Sequence, residues 1–197
     1  MIFYLMGKSA SGKDHIFKEI MKDPSLSGRL EPMVIYTTRP MRKGEKDGRE
    51  YYFTDARALQ QFRDQGKVIE ERCYDTVEGP WYYFTADDGR LDPDGHNYLG
   101  IGTLESYEKL LGYFGQKRMV PILIETDDGI RLERALRREK KQEKPQYKEM
   151  CRRFLADSED FSEEKIRHAG ITRRFENNGE LEDCIREVAA YIRNMLK

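Results

Sequence analysis

The stretch GKSASGKD, Gly7 to Asp14, constrains the fold of this chain more than any other. It follows an unbroken apolar run, Met1 to Met6 (MIFYLM). It precedes HIFKEIMK, where Ile16, Phe17, Ile20 and Met21 recur at helical spacing. The order is strand, glycine-rich turn, helix. Gly7, Gly12 and Lys13 fit the phosphate-binding pattern G-x-x-x-x-G-K. Glycines let backbone amides converge on a dense anion, and the helix aims its free amides and positive dipole end at the same point. Lys13 adds a mobile charge. The plainer reading, a glycine turn that only joins two elements, fits this position after a buried-type strand less well. Asp14 stands where the pattern has Ser or Thr as a magnesium ligand. A carboxylate is itself a hard-oxygen ligand, so Asp14 is the candidate metal ligand.

Downstream, Asp23-Pro24 ends the first helix. Met33 to Tyr36 (MVIY) reads as a short strand, followed by the charged loop TTRPMRKGEKDGREYYF, Thr37 to Phe53. That loop is either a solvated surface or a monophosphate grip made of Arg39, Arg42 and a tyrosine hydroxyl, since guanidinium forks match phosphate oxygens. Asp55 is placed to cap a helix over 56–65. Val68 to Tyr74, Trp81 to Thr85, Asn97 to Gly102, Met119 to Glu125 and Ile171 to Phe175 read as strands, with Pro121 an objection to a central place for the fourth. Helices are expected from Thr103 to Phe114, with Ser106 falling short of a capping box, from about Gly129 to Glu139, around Met150, Phe154 and Leu155, and from Glu180 to Met195. Strands alternating with helices imply a parallel sheet covered on both faces, with ligands at the carboxyl ends of its strands.

The chain has 197 residues, 35 basic against 36 acidic, for a net charge of -1. One domain is the default for this length. The balance of charge argues against a general nucleic-acid or membrane binder. Cys73, Cys151 and Cys184 are too scattered for a zinc site and fit a reducing cytosol. Cys184 falls on the apolar stripe of the last helix, and Cys73 reads as a buried strand cysteine. Met1 to Met6 is too short for a signal peptide, and no apolar run reaches a membrane span. The expectation is a cytoplasmic protein. Basic residues crowd 131–153 around a polar interruption at 140–148. They form a solvated face or a lid that brings cations over a migrating phosphoryl group.

The phosphate loop, the pattern TTRP-x-R-x-GE-x-DG-x-x-Y, VIEE, WYYFT and the arginine-rich segment together resemble the guanylate kinase family over nearly the whole chain. The resemblance implies an α/β fold of the P-loop NTPase type: three α/β/α layers, a parallel core sheet, a small nucleoside-monophosphate-binding subdomain and a lid. On that scheme a single domain, 1–197, divides into a core (1–33, 86–138 and 152–197), an acceptor-binding region (34–85) and a lid (139–151). It implies ATP and Mg²⁺, with Gly7, Lys8, Ser9, Ala10, Ser11, Gly12, Lys13 and Asp14 around the ATP phosphates. Arg39, Arg42, Tyr51 and Tyr83 would grip the acceptor phosphate. Glu70 would meet the guanine edge with Thr85 beside it. Lys13, Arg138 and Arg153, with Arg134 in support, would stabilise the phosphoryl group in transfer. Partners would be small nucleotides, not nucleic acid or membrane, in a monomer or homodimer.

The sequence departs from the family in two places. Gly100-Ile101-Gly102 replaces a D-x-D that helps with base and metal, and a serine of the acceptor site appears as Ile35 or Tyr36. Three readings follow: a GMP kinase, a kinase of another phosphorylated acceptor such as ribose 1,5-bisphosphate, and a non-catalytic guanylate-kinase-like binding module.

Overall fold

The computed structural model describes residues 1–76 and 78–197. Its framework is a five-stranded parallel sheet of order β2-β7-β1-β8-β9, made of Glu31–Pro32, Tyr98–Gly102, Ile2–Met6, Met119–Glu125 and Arg174–Glu176. The apolar run at the start is the middle strand. Side chains alternate across a strand, so Ile2, Tyr4 and Met6 enter one core with Leu104, Tyr107 and Leu110, while Phe3 and Leu5 enter another with Ile16, Ile20, Val188 and Ile192. Helices α1 (Lys13–Lys22) and α7 (Leu181–Met195) cover the second face. Helix α3 (Leu104–Phe114) and the short α6 (Glu163–His168), which the pattern did not foresee, cover the first. Burial on both faces explains why β1 is apolar throughout. The fold is thus the three-layer α/β arrangement with a parallel core.

A second, four-stranded sheet has the order β4-β3-β6-β5: Tyr52–Phe53, Tyr36–Thr37, Gly79–Ala86 and Val68–Thr76. It is antiparallel except for the β3–β4 pair. Helix α2 (Ala56–Asp64) packs on it through Leu59 and Phe62 against Phe84, and Asp55 caps that helix by accepting from the Ala58 amide at 2.8 Å. Helices α4 (Asp128–Glu139) and α5 (Tyr147–Asp160) run before and after the turn at 140–146. The buried Glu139 carboxylate organises that turn, accepting from Gln142 Nε2 at 3.1 Å and from the Gln146 amide.

Several local expectations are corrected. The stretch 33–36 is not one strand: β2 ends at Pro32 and β3 begins at Tyr36 in the other sheet, so Met33 to Ile35 carries the chain between sheets. Pro121 does lie in a central strand. Its β9 side is tolerant because pairing with β9 begins only at Leu123. Strand β9 starts at Arg174, later than read, because pairing with β8 ends the preceding loop. The capping box at Thr103 is complete, with the Ser106 hydroxyl doing the work of the missing Glu. Cys184 is buried as expected, but Cys73 is exposed. Cys73 lies opposite Tyr82, on the same face as the buried Phe84, but the small core of Leu59, Phe84 and Ala86 does not extend over it.

Candidate functional site

The loop of Gly7 to Asp14 emerges from the carboxyl end of β1 and enters α1. Its geometry is fixed from two other strands of the sheet. Thr126, just past β8, donates its hydroxyl to the Ser11 carbonyl at 3.2 Å, and Asn177, just past β9, donates its side-chain amide to the same oxygen at 2.7 Å. Both residues are buried. Gly12 adopts φ 93°, and a β-carbon there would stand 2.4 Å from Asn177 Nδ2. A β-carbon at Gly7 would meet the Ile124 carbonyl oxygen at 2.5 Å. Ala10 also sits at positive φ, 62°, an unusual conformation for a non-glycine residue. The first amides of α1 have no partner within the helix, the general property that makes a helix N-terminus an anion site.

The rest of the loop is held by α4 and α5. Arg131, fully buried, donates to the Ser9 carbonyl at 2.9 Å, to Asp157 at 3.3 Å and to Asp128 at 2.7 Å. Its guanidinium also lies over the Phe154 ring, 4.6 Å from the centroid. Asp157 accepts from the Ser9 amide at 2.7 Å. Lys8 reaches Asp128 at 3.4 Å. Sequence reasoning counted Arg131 only within the basic crowd and missed Asp157, Thr126 and Asn177. The usable signal was their place immediately after strands or on the helices that flank the loop.

Lys13 and Asp14 lie at the start of α1, with Lys13 Nζ 3.8 Å from Asp14 Oδ2 and the Asp14 side chain 80% exposed. Among the described residues no group of three or more His, Cys, Asp or Glu forms a metal cage. A lone exposed carboxylate beside a phosphate loop suits Mg²⁺, which commonly takes one or two carboxylates together with substrate phosphates. Asp14 fits that role.

The three arginines expected of a lid lie on α4 and α5. Arg138 and Arg153 are exposed, and Arg134 is half-buried. Arg153 and Arg152 share Glu149, at 2.7 Å each, and the two guanidiniums hold its carboxyl down at about 2. Arg134 and Arg138 follow Arg131 by one and two turns of α4, roughly 5 and 10 Å along its axis. Arg153 precedes Asp157 by one turn of α5. They therefore sit on helices whose inner ends already touch the loop.

The second sheet assembles the other candidates. Arg39 is 3% exposed and forms a two-point pair with Glu45 at 2.8 and 3.0 Å. Glu45 raises the Arg39 guanidinium above the usual range through these bonds, and it also accepts from the Arg42 amide at 2.7 Å. The Arg39 guanidinium lies over the rings of Tyr51 and Phe53, 5.4 and 5.5 Å from the centroids. Tyr51 stands edge-on to Tyr83, 5.5 Å between centroids. Arg39, Tyr51 and Tyr83 are thus one cluster, while the Arg42 side chain is exposed at its edge. Glu70 and Thr85 pair across β5 and β6 and are hydrogen-bonded at 3.0 Å. Glu70 also takes Arg72, absent from the expected set, at 3.2 Å.

These elements match known proteins. The family model described as Guanylate kinase matches residues 2–83. The guanylate kinase of Chromobacterium violaceum is 32% identical over 95 residues, 45% of this chain and 43% of that protein. That of Legionella pneumophila (strain Lens) is 32% identical over 81 residues, 41% of this chain and 36% of that protein. The matched stretch thus spans about two fifths of the length of these curated relatives. A crystal structure of guanylate kinase from Anaplasma phagocytophilum superposes with a TM-score of 0.61 at 21% identity, covering 100% of this chain and 84% of that one. Residues 2–83 therefore carry the sequence signature of the guanylate kinase family, and the chain as a whole carries its fold.

Proposed function

We propose that this protein transfers the terminal phosphoryl group of ATP to a phosphorylated acceptor, GMP in the first instance, giving ADP and GDP. The observation that carries the reading is the pairing of two anion-type surfaces: a clamped phosphate loop at the carboxyl end of β1, and the Arg39, Tyr51 and Tyr83 cluster on the adjoining sheet. The names of the relatives matched by its first half support the choice of GMP.

In this reading Gly7 to Asp14 cradles the ATP phosphates, Lys13 bridges toward the migrating group, and Arg39, Arg42, Tyr51 and Tyr83 hold the acceptor phosphate in line. Asp14 would help hold Mg²⁺, which when bound neutralises phosphate charge. Region 34–85 binds the acceptor, and 139–151 with its flanking helices closes as a lid that brings Arg134, Arg138 and Arg153 over the reaction. An acceptor phosphate already ionised needs no strong base, so catalysis is positioning and charge neutralisation. No described helix is long and apolar enough to cross a membrane. We place the protein in the cytoplasm, acting on small nucleotides as a monomer or homodimer.

The test is ADP release from Mg-ATP with a panel of acceptors. Turnover with GMP is expected, and Lys13→Ala is expected to abolish it together with ATP binding. Turnover only with a sugar phosphate such as ribose 1,5-bisphosphate replaces the acceptor, a reading favoured by Gly100 and Gly102 in place of acidic residues. No ADP with any acceptor leaves a binding module.

A further inference from the structure

Residues Glu70, Arg72 and Tyr74 share one face of β5 and stand opposite Thr85, Tyr83 and Trp81 on β6. This places Arg72 directly across from Tyr83, a member of the phosphate cluster. Arg72 Nε donates to Glu70 Oε2 at 3.2 Å, and its Nη2 reaches Oε1 at 3.5 Å. Thr85 donates to Oε1 as well. Glu70 is 2% exposed. A carboxylate reads guanine by accepting two N–H groups from one edge of the base. Arg72 and Thr85 already donate to both oxygens of this buried carboxylate, so a base that reads Glu70 competes with the guanidinium.

The adjoining wall carries no acid to replace it. Across β1, the Tyr4 ring fills the space beside Gly100 and Gly102. A β-carbon on Gly100 would fall 2.6 Å from Tyr4 Cδ2, and one on Gly102 would fall 2.0 Å from the Tyr4 hydroxyl. Side chains are sterically excluded there. The Tyr4 hydroxyl is committed to Ser106 at 2.9 Å, and the charges of Arg72 and Glu70 both bear on it. The Tyr4, Ser106 and Thr85 hydroxyls are buried and already bonded, so the group left to meet a ligand there is the part-exposed Arg72 guanidinium, whose Nη1 donates to no described residue.

Resting on the acceptor-site reading above, we propose that Arg72 is the specificity-determining residue of this site and that it selects monophosphates whose far end offers oxygen acceptors over those that offer an amino group. Guanidinium N–H donors bond a ring carbonyl and repel an exocyclic amine. The site therefore favours a purine monophosphate with an oxo group at carbon 2 over GMP, which has an amino group there.

Xanthosine, inosine and guanosine monophosphates carry oxo, hydrogen and amine at that carbon, the oxo form also having an ionisable N–H at ring nitrogen 3. Calorimetric titration of the intact protein with each is expected to show xanthosine monophosphate binding about tenfold tighter than GMP, with inosine monophosphate between them. Arg72→Gln, which frees Glu70, is expected to reverse the order by a similar factor. Arg72→Lys keeps the positive charge without the two-point geometry and is expected to retain the order with a smaller spread. Equal affinities, or GMP tightest in the unaltered protein, overturn the inference. So does an Arg72→Gln protein with the original order. Binding in the expected order without ADP formation keeps the inference and removes only the kinase reading, whereas no binding of any of the three removes both.

Discussion

The loop of Gly7 to Asp14 and the second sheet are built from different materials. At the loop the groups turned toward the proposed phosphates are mainly backbone amides within eight consecutive residues, and distant residues only brace them. On the second sheet they are side chains from separate segments: Arg39 from the loop after β3, Tyr51 beside β4, Glu70 and Arg72 from β5, and Tyr83 and Thr85 from β6. A backbone cradle is a local property and tolerates changes in what surrounds it. A side-chain grip of the kind proposed for the second sheet is a tertiary property, and on our proposal the single arginine at position 72 changes what it reads.

That contrast can be broken by substitution. The largest effect is expected at the loop, where Lys13→Ala should abolish turnover and ATP binding with little change in melting temperature, in line with the loss of a charge-stabilising group. Arg39→Ala should lose acceptor binding and stability together, because Glu45 is left without its partner. Arg42→Ala, on an exposed side chain, should weaken acceptor binding alone. If both acceptor variants kept full stability, the distinction between brace and grip on the second sheet would be wrong.

Next is the brace of the loop. Arg131→Met removes a fully buried cation that ties Asp128, Asp157 and the Ser9 carbonyl, and is expected to cost about 3 kcal/mol in denaturant unfolding. Gly12→Ala should cost about 2 kcal/mol from backbone strain and the clash with Asn177. A neutral result at either position would show that the loop holds itself.

The junction between the two regions gives a smaller, pH-dependent effect. Burial pushes the Tyr4 hydroxyl up from 10.0 to about 12. The folded state then keeps its proton after the unfolded chain has lost it, so Tyr4 draws stability down as pH rises from about 10 to 12. Tyr4→Phe should be about 1 kcal/mol less stable at pH 7, for the lost bond to Ser106, and should close that gap above pH 10. A gap of constant size in alkaline urea titrations would place the hydroxyl in a wetter setting than its burial indicates. The smallest effect concerns thiols. Cys73 and Cys151 are exposed, while burial raises Cys184 to about 11. Ellman's reagent should modify two thiols in the folded protein and the third only on unfolding.

Much of the architecture was legible in the residues. The unbroken apolar β1, the glycine turn and the amphipathic α1 and α7 follow from periodicity, which burial on one or two faces imposes directly. The crossing at Met33 to Ile35 was not legible, because the two short strands on either side of it belong to different sheets and no local propensity encodes which partner a strand finds. The exposure of Cys73 was not legible for a related reason: it shares a face with the buried Phe84, and only the packed structure shows that the core of α2 and this sheet stops short of it.

The sequence by itself determined the loop, since the positions of Gly7, Gly12 and Lys13 along the chain specify a cradle whose donors are carried by the backbone between them. Only the tertiary structure decided that Tyr4 fills the space beside Gly100 and Gly102 with Glu70 and Arg72 near its hydroxyl, and that Asn177 and Thr126 close on Ser11. Those contacts join residues far apart in the chain. They exist because the parallel sheet brings the carboxyl ends of β1, β8 and β9 together and the second sheet folds its β5 face toward Tyr4.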